Sequence, residues 1–293
     1  MKKETEILMA TTQASSPAIR KGGAKSLPFK IAITAWIDLL GYGEMIADVD
    51  YNPIATNAVK PLGRLRNFHK IVAEYSKREY RTLVINDGAV AYRDLSLRGQ
   101  GPTVDFFCHS WELFEAVQAS EMQNGFPGAR MVVAPGLRAK GSRRAIDYTS
   151  GHLDSILGRM RNGIISPEEA VKEASAIEKY FDVLPQLQAN FAFSKSYIAE
   201  QSGSKHNLPG PAFYIDGLIF DKDKPDWIEA SDVIDWNLPK YKLGAFFYPV
   251  LAVRRPKVPS SQMAGFRDGL SIASILAPSS SVSTAIHTLR NRF

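Results

Sequence analysis

The stretch KIAITAWI, from Lys30 to Ile37, is dense in apolar and β-branched residues, with no polar side chain between Lys30 and Thr34. Such a run predicts a buried strand. A helical stripe follows in LGRLRNFHKIVAEYSKREY, where Leu62, Leu65, Phe68 or His69, Val72 and Tyr75 or Ser76 recur at three-to-four spacing and set one face against a sheet. RTLVINDGAVAYRDL, Arg81 to Leu95, has β-rich arms around Asn86-Asp87-Gly88, a set of residues that tolerates the positive φ of a hairpin turn. FFCHSWELFEAVQASEMQNGF (Phe106 to Phe126) predicts a second helix. ARMVVAPG (Ala129 to Gly136) predicts a short buried strand ended by Pro135-Gly136.

Residues 137–163 are polar and basic and predict a loop with little order of its own. Beyond them Ser166 suits an N-cap, Pro167 the first helical position, and Glu168 and Glu169 the positive helix end. Ala170, Ala174, Ile177 and Phe181 then share a face. A further helix is expected from Gln186 to a stop at Gly203, and a strand pair around Asp216-Gly217. The order is that of an α+β domain with a mainly antiparallel sheet and helices on one face, as in ferredoxin-like sheets. The expected organisation is a disordered tail over 1–29, one domain over 30–253 with a helical insertion at about 145–185, and an extension over 254–293 that packs loosely or reaches a partner.

With 293 residues, 45% of them hydrophobic, the chain can bury a sizeable core. No apolar stretch has the length of a membrane span, and the short apolar segment Ile7 to Ala10 does not make a secretory signal. The single cysteine, Cys108, allows neither an internal disulfide nor a Cys-rich zinc site, so the expected location is cytoplasmic. A net charge of +6 suits a polyanionic partner, which could be nucleic acid, an acidic membrane surface or a nucleoside triphosphate. The aromatics show no stacking pattern, which ranks nucleic acid last. His69, His109, His152, His206 and His287 have no metal-ligand spacing, and no Gly-x-Ser-x-Gly, Walker loop or complete dinucleotide fingerprint is present. His69 reads as structural.

The chemistry lies at two turns. Asp38 closes the first strand just before Gly41 and Gly43, and Asp87 sits in the hairpin turn. Two carboxylates at neighbouring strand ends can hold a divalent metal together with substrate phosphates. An Asp in either place is also a common turn residue.

The stretch AWIDLLGYGEMI resembles the opening of the class III nucleotidyl cyclase domain. LVINDGAVAY resembles the hairpin carrying that family's second metal Asp, with Asn86 where the family usually has Gly. ARMVVAPG, FAFSKSYIAE and PGPAFYID resemble its later strand, helix and closing strand, so the likeness runs from about Lys30 to Asp221. Among subgroups the chain is most similar to the stand-alone bacterial Pycsar cyclases, which make cyclic pyrimidine nucleotides in antiphage defence.

The resemblance implies a homodimeric, Mg²⁺- or Mn²⁺-dependent cyclase acting on UTP or CTP. It makes Asp38, Asp87 and the backbone carbonyl of Leu39 the metal ligands. Gly41, Tyr42 and Gly43 would face the triphosphate, and Arg81, neighbour of Tyr80, would read the base. The family's late-helix Asn and Arg have no clear counterpart: one alignment puts Ser194 and Ile198 there, while a one-turn shift offers Asn190 and Ser194, with Lys195 as the nearest cation. Asn190 and Lys195 are therefore the candidates for transition-state contacts, acting from a partner chain. The missing pair also suggests an alternative, a catalytically silent cyclase-like domain that binds a nucleotide or a protein.

Overall fold

The structure, a computed structural model, describes residue 27 and residues 29–140, 148–177, 184–277 and 284. Strand β1 (Phe29–Leu39) is the spine. It pairs antiparallel with β3 (Gly88–Asp94) on one side and β4 (Ala129–Ala139) on the other, and β2 (Arg81–Ile85) completes the hairpin outside β3. Beyond β4 lie β5 (Ala212–Asp216), then β8 (Leu243–Val253), which also pairs with the short β6 (Ile228–Ala230) and β7 (Ile234–Leu238). Only β4 and β5 run parallel among the described strands. The α+β class and the mainly antiparallel sheet follow the expectation.

Helices cover both faces, where the sequence pattern suggested one. The odd positions of β1, Ile31, Ile33, Ala35, Ile37 and Leu39, enter a core with Phe68 and Val72 of α2 (Val59–Tyr75) and Val104, Phe107, Trp111 and Val117 of α3 (Gly101–Gln123). Phe213 of β5 is ringed by Phe107, Trp111 and Phe114, with centroids 6.0, 5.4 and 5.6 Å away. The even positions meet α6 (Phe191–Ser202). There the hydroxyls of Thr34 and Ser196 lie 3.0 Å apart, and Trp36 packs edge-on against Phe193 and Tyr197. Being buried on both faces, β1 needs apolar residues at nearly every position, which is why its sequence does not alternate. Gly136 lets α6 approach the sheet, since a Cβ there would stand 2.5 Å from the Ala192 nitrogen.

Several local expectations shift. Residues 137–163 are no simple loop: β4 continues to Ala139 and α4 spans Tyr148–Arg161. The Ser166–Glu169 capping box opens α5 (Pro167–Ser175) as its residues suggest, while Phe181 lies outside the described residues. The helix expected from Gln186 starts at Phe191, because Asn190 caps it with a bond from the Phe193 N–H. Asp216-Gly217 makes no hairpin. Asp216 instead accepts the Leu218 N–H at the start of a 3-10 turn, and β5 finds its partner in the distant β8. The region after Arg254 is not loose throughout: Met263 and Phe266, with Leu270, Ile272 and Ala273 of α7 (Gly269–Leu276), are buried in the main core. Residues 1–26 lie outside the described part, whereas Leu27 is buried.

Candidate active site

The two carboxylates converge at one end of the sheet. Asp38 is the β1 partner of Gly88, and the next residue, Leu39, donates its N–H to the Asp87 carbonyl at 3.2 Å. Gly88 is required by this approach, because a Cβ there would lie 2.4 Å from Cζ2 of Trp36 and 3.0 Å from Oδ1 of Asp38. Asn86 takes a left-handed φ of 54° and donates from Nδ2 to Oδ1 of Asp87 at 2.9 Å. The turn is also held from outside. His69 on α2 lies with Nε2 2.8 Å from the Asn86 carbonyl, a contact that requires the proton on Nε2.

Asp38 is half-buried, and its carboxylate accepts no hydrogen bond from the described residues. Its pKa is pushed up to about 8, first by burial and then by the charges of Glu200 and Asp87, against the opposing pull of Arg130 and Arg64. Arg130 is the β4 partner of Asp38, yet it donates to Glu200 Oε1 from Nη2 at 2.6 Å and from Nε at 3.0 Å, and to the Leu208 carbonyl. Glu200 has no exposed side-chain surface, and burial raises its pKa while Arg130 opposes the rise. Three carboxylates thus share a neighbourhood with a guanidinium committed to one of them.

This donor set fits a hard divalent cation. Asp38 and Asp87 supply two oxygen donors, and their negative surplus is what a cation relieves. Among the described residues no group of three or more His, Cys, Asp or Glu forms a cage, so the remaining ligands would be backbone, water or substrate oxygens.

Past Leu39 the chain turns at Gly41, whose φ of 69° caps α1 (Tyr42–Ala47). Gly41 and Gly43 are exposed, three and five residues past Asp38. Tyr42 departs from the expectation of an open phosphate-facing loop: its side chain is buried in the main core, and burial first, then the charge of Asp87, raises its pKa.

The other candidates lie elsewhere. Arg81 starts β2, at the opposite end of the hairpin from Asp87, in a shallow depression of about 330 Å³ with Arg78, Tyr92 and Arg93. Asn190 and Lys195 do not present free groups. Asn190 is 2% exposed; its Oδ1 caps α6 and its Nδ2 donates to the Gln186 carbonyl. Lys195 turns inward and donates to Asp216 Oδ2 at 2.6 Å, within a buried pair. The physical reason is position: Asn190 is buried as the N-cap and Lys195 lies on the packed side of α6, while Phe191 and Ser194 face out.

Arg130, Glu200, Arg64 and His69 are the neighbours that the sequence pattern did not single out for the site. Arg130 opens the ARMVV strand and Glu200 closes the FAFSKSYIAE helix. Two opposite charges bounding apolar segments are the one signal that could have joined them.

No family profile and no curated protein matches the chain by sequence. Among solved structures it is similar to the guanylyl cyclase Cya2, at 12% identity over 80% of this chain and 98% of that one, with a TM-score of 0.41. It is also similar to the adenylyl cyclase CyaB from P. aeruginosa, at 14% identity, 78% and 96% coverage and a TM-score of 0.40. A third is the dimeric guanylyl cyclase domain of the RhoGC fusion protein from the aquatic fungus Blastocladiella emersonii, at 10% identity, 78% and 97% coverage and a TM-score of 0.38. Among the described residues no helix is long and apolar enough to cross a membrane.

Proposed function

We propose that this chain is a metal-dependent nucleotidyl cyclase, converting a nucleoside triphosphate to its 3′,5′-cyclic monophosphate and pyrophosphate. The observation that carries the reading is that Asp38, paired with Gly88 across the β1–β3 ladder, feels the charge of Asp87 in the adjoining turn, with a negative surplus and, among the described residues, no hydrogen-bond donor on Asp38. A bound Mg²⁺ or Mn²⁺ supplies Lewis-acid activation of the attacking hydroxyl and neutralises charge on the phosphates. The chain's own part is to hold two carboxylates at fixed separation. Gly41 and Gly43 leave room beside them for phosphate oxygens, and the carbonyl of Leu39 is the proposed third protein ligand.

Arg81 bears on the assembly. It stands at the far end of β2 from the turn, four residue steps or about 13 Å of strand before Ile85. That is farther than one ribose places a base from its α-phosphate. A base read by Arg81 is therefore placed more readily at a site whose carboxylates come from a second copy, which favours a homodimer. The choice of UTP or CTP and a role in antiphage defence rest on the sequence resemblance.

A second reading, a nucleotide-binding domain without turnover, is favoured by one observation: Asn190 and Lys195 are committed to structural bonds. Incubating the purified protein with each of the four triphosphates and Mn²⁺, with mass spectrometry of the products, separates the two. Cyclic product lost in Asp38→Ala and Asp87→Ala supports the cyclase; metal-dependent binding without product supports the silent domain.

A further inference from the structure

We propose that helix α2 clamps both carboxylate turns, through Arg64 on the Asp38 side and His69 on the Asp87 side, and so sets the spacing of the two metal ligands. The inference rests on the metal-site reading above and adds two positioning residues to it. Arg64 has no exposed side-chain surface, and Nη2 donates to the Leu40 carbonyl at 2.9 Å, two residues past Asp38. The same guanidinium is anchored by Glu121 of α3 at 2.5 and 3.0 Å, reaches Met45 Sδ of α1 and the Gly128 carbonyl before β4, and lies 4.7 Å over the Phe126 ring. A buried guanidinium held on so many sides has one position open to it, because any other strands a charge in the core. The Leu40 carbonyl is fixed with it.

His69 lies five residues further along α2, an advance of about 7.5 Å. Its Nε2 meets the carbonyl of Asn86, the residue immediately before Asp87. One rigid helix therefore holds a carbonyl after the first carboxylate and a carbonyl before the second. The ladder alone joins the turns through the Leu39 N–H to the Asp87 carbonyl, a bond of 3.2 Å. With both clamps in place, a displacement of α2 moves the two turns together, and loss of either clamp lets one turn drift from the other.

The test compares the parent with His69→Ala and His69→Gln, the latter keeping an N–H donor for the Asn86 carbonyl. Mn²⁺ affinity is read by electron paramagnetic resonance of free Mn²⁺, and backbone mobility by amide exchange of residues 85–88. The expected result is a weakening of about tenfold in His69→Ala, the scale of outer-shell losses at metal sites, with recovery in His69→Gln. Exchange of the turn should rise in the alanine variant alone. The paired variant Arg64→Met/Glu121→Leu removes the buried charges together and should speed exchange over 40–43 while leaving 85–88 as in the parent. Equal Mn²⁺ affinity and equal exchange in parent and His69→Ala would overturn the proposal, as would a glutamine variant no better than alanine. If the parent takes up no Mn²⁺, the metal reading fails on its own and the exchange data alone decide the clamp. If the Arg64 pair does not fold, the two His69 variants decide it.

Discussion

Arg130 faces Asp38 across the β1–β4 ladder but gives its guanidinium to Glu200, 2.6 Å away. The strand places a cation beside the candidate metal ligand, and the helix behind it takes that cation away. Glu200 therefore keeps Asp38 without a partner. Glu200→Ala should cost about 3–5 kcal/mol of stability in urea unfolding, because it leaves Arg130 uncompensated, whereas Arg130→Met/Glu200→Leu should cost well under half of that.

The environment of Asp38 predicts a pH dependence of the metal-free protein. Its folded pKa, about 8, lies above the unfolded value of 3.8, so the native state holds the extra proton between them. Stability from this group is present below pH 4 and is lost as the pH rises toward 8. Asp38→Asn should match the parent near pH 4 and exceed it at pH 9, by roughly 1–2 kcal/mol once hydration has discounted the full shift. Thermal melts at the two pH values check the sign. Added Mn²⁺ should raise the Tm of the parent at pH 8 and leave Asp38→Asn unmoved.

Gly88→Ala tests how tightly the turn closes on the site. The new methyl group would meet the Trp36 ring at 2.4 Å. Overpacking of this kind costs about 1–3 kcal/mol, and more where the neighbour is held on its other side, as Trp36 is by Phe193 and Tyr197. A shift in the denaturant midpoint, with tryptophan fluorescence following the ring, reads the effect.

Lys195→Met should act on stability. Among the described residues it leaves buried Asp216 with only the Leu218 N–H as a donor, a loss of about 3–5 kcal/mol. Lys195→Met/Asp216→Asn should recover at least half of that in the same unfolding assay.

What the sequence made legible was local chemistry. Asn86-Asp87-Gly88 announces its hairpin because the turn's dihedral demands are met by those residues alone, and Ser166 with Glu169 announces a capping box for the same reason. Asp216-Gly217 carries a similar signal and misleads, since the competitor that wins is a strand about thirty residues away, β8, and nothing near Asp216 encodes it. The candidate site divides likewise. Asp38 and Asp87 stand out at strand ends, but the Arg130–Glu200 pair joins residues seventy positions apart. Asn190 and Lys195 look available in one dimension; only the rotation of α6 on the sheet turns them inward. Tyr42 is the same case, one residue between two exposed glycines whose ring the core claims.

The parallel pairing of β4 with β5 divides the chain in time as well as in space. Strands β1 to β4 are all laid down between Phe29 and Ala139, whereas β5 joins only after the chain has travelled from Ala139 to Ala212. Closing so long a crossover slows folding more than it weakens the product, since each doubling of its length adds only about 0.6 kcal/mol of closure entropy. The site-bearing turns lie in the strands before this crossover, so the segment through α4 and α5 is where this architecture accepts extra sequence with least disturbance to the site.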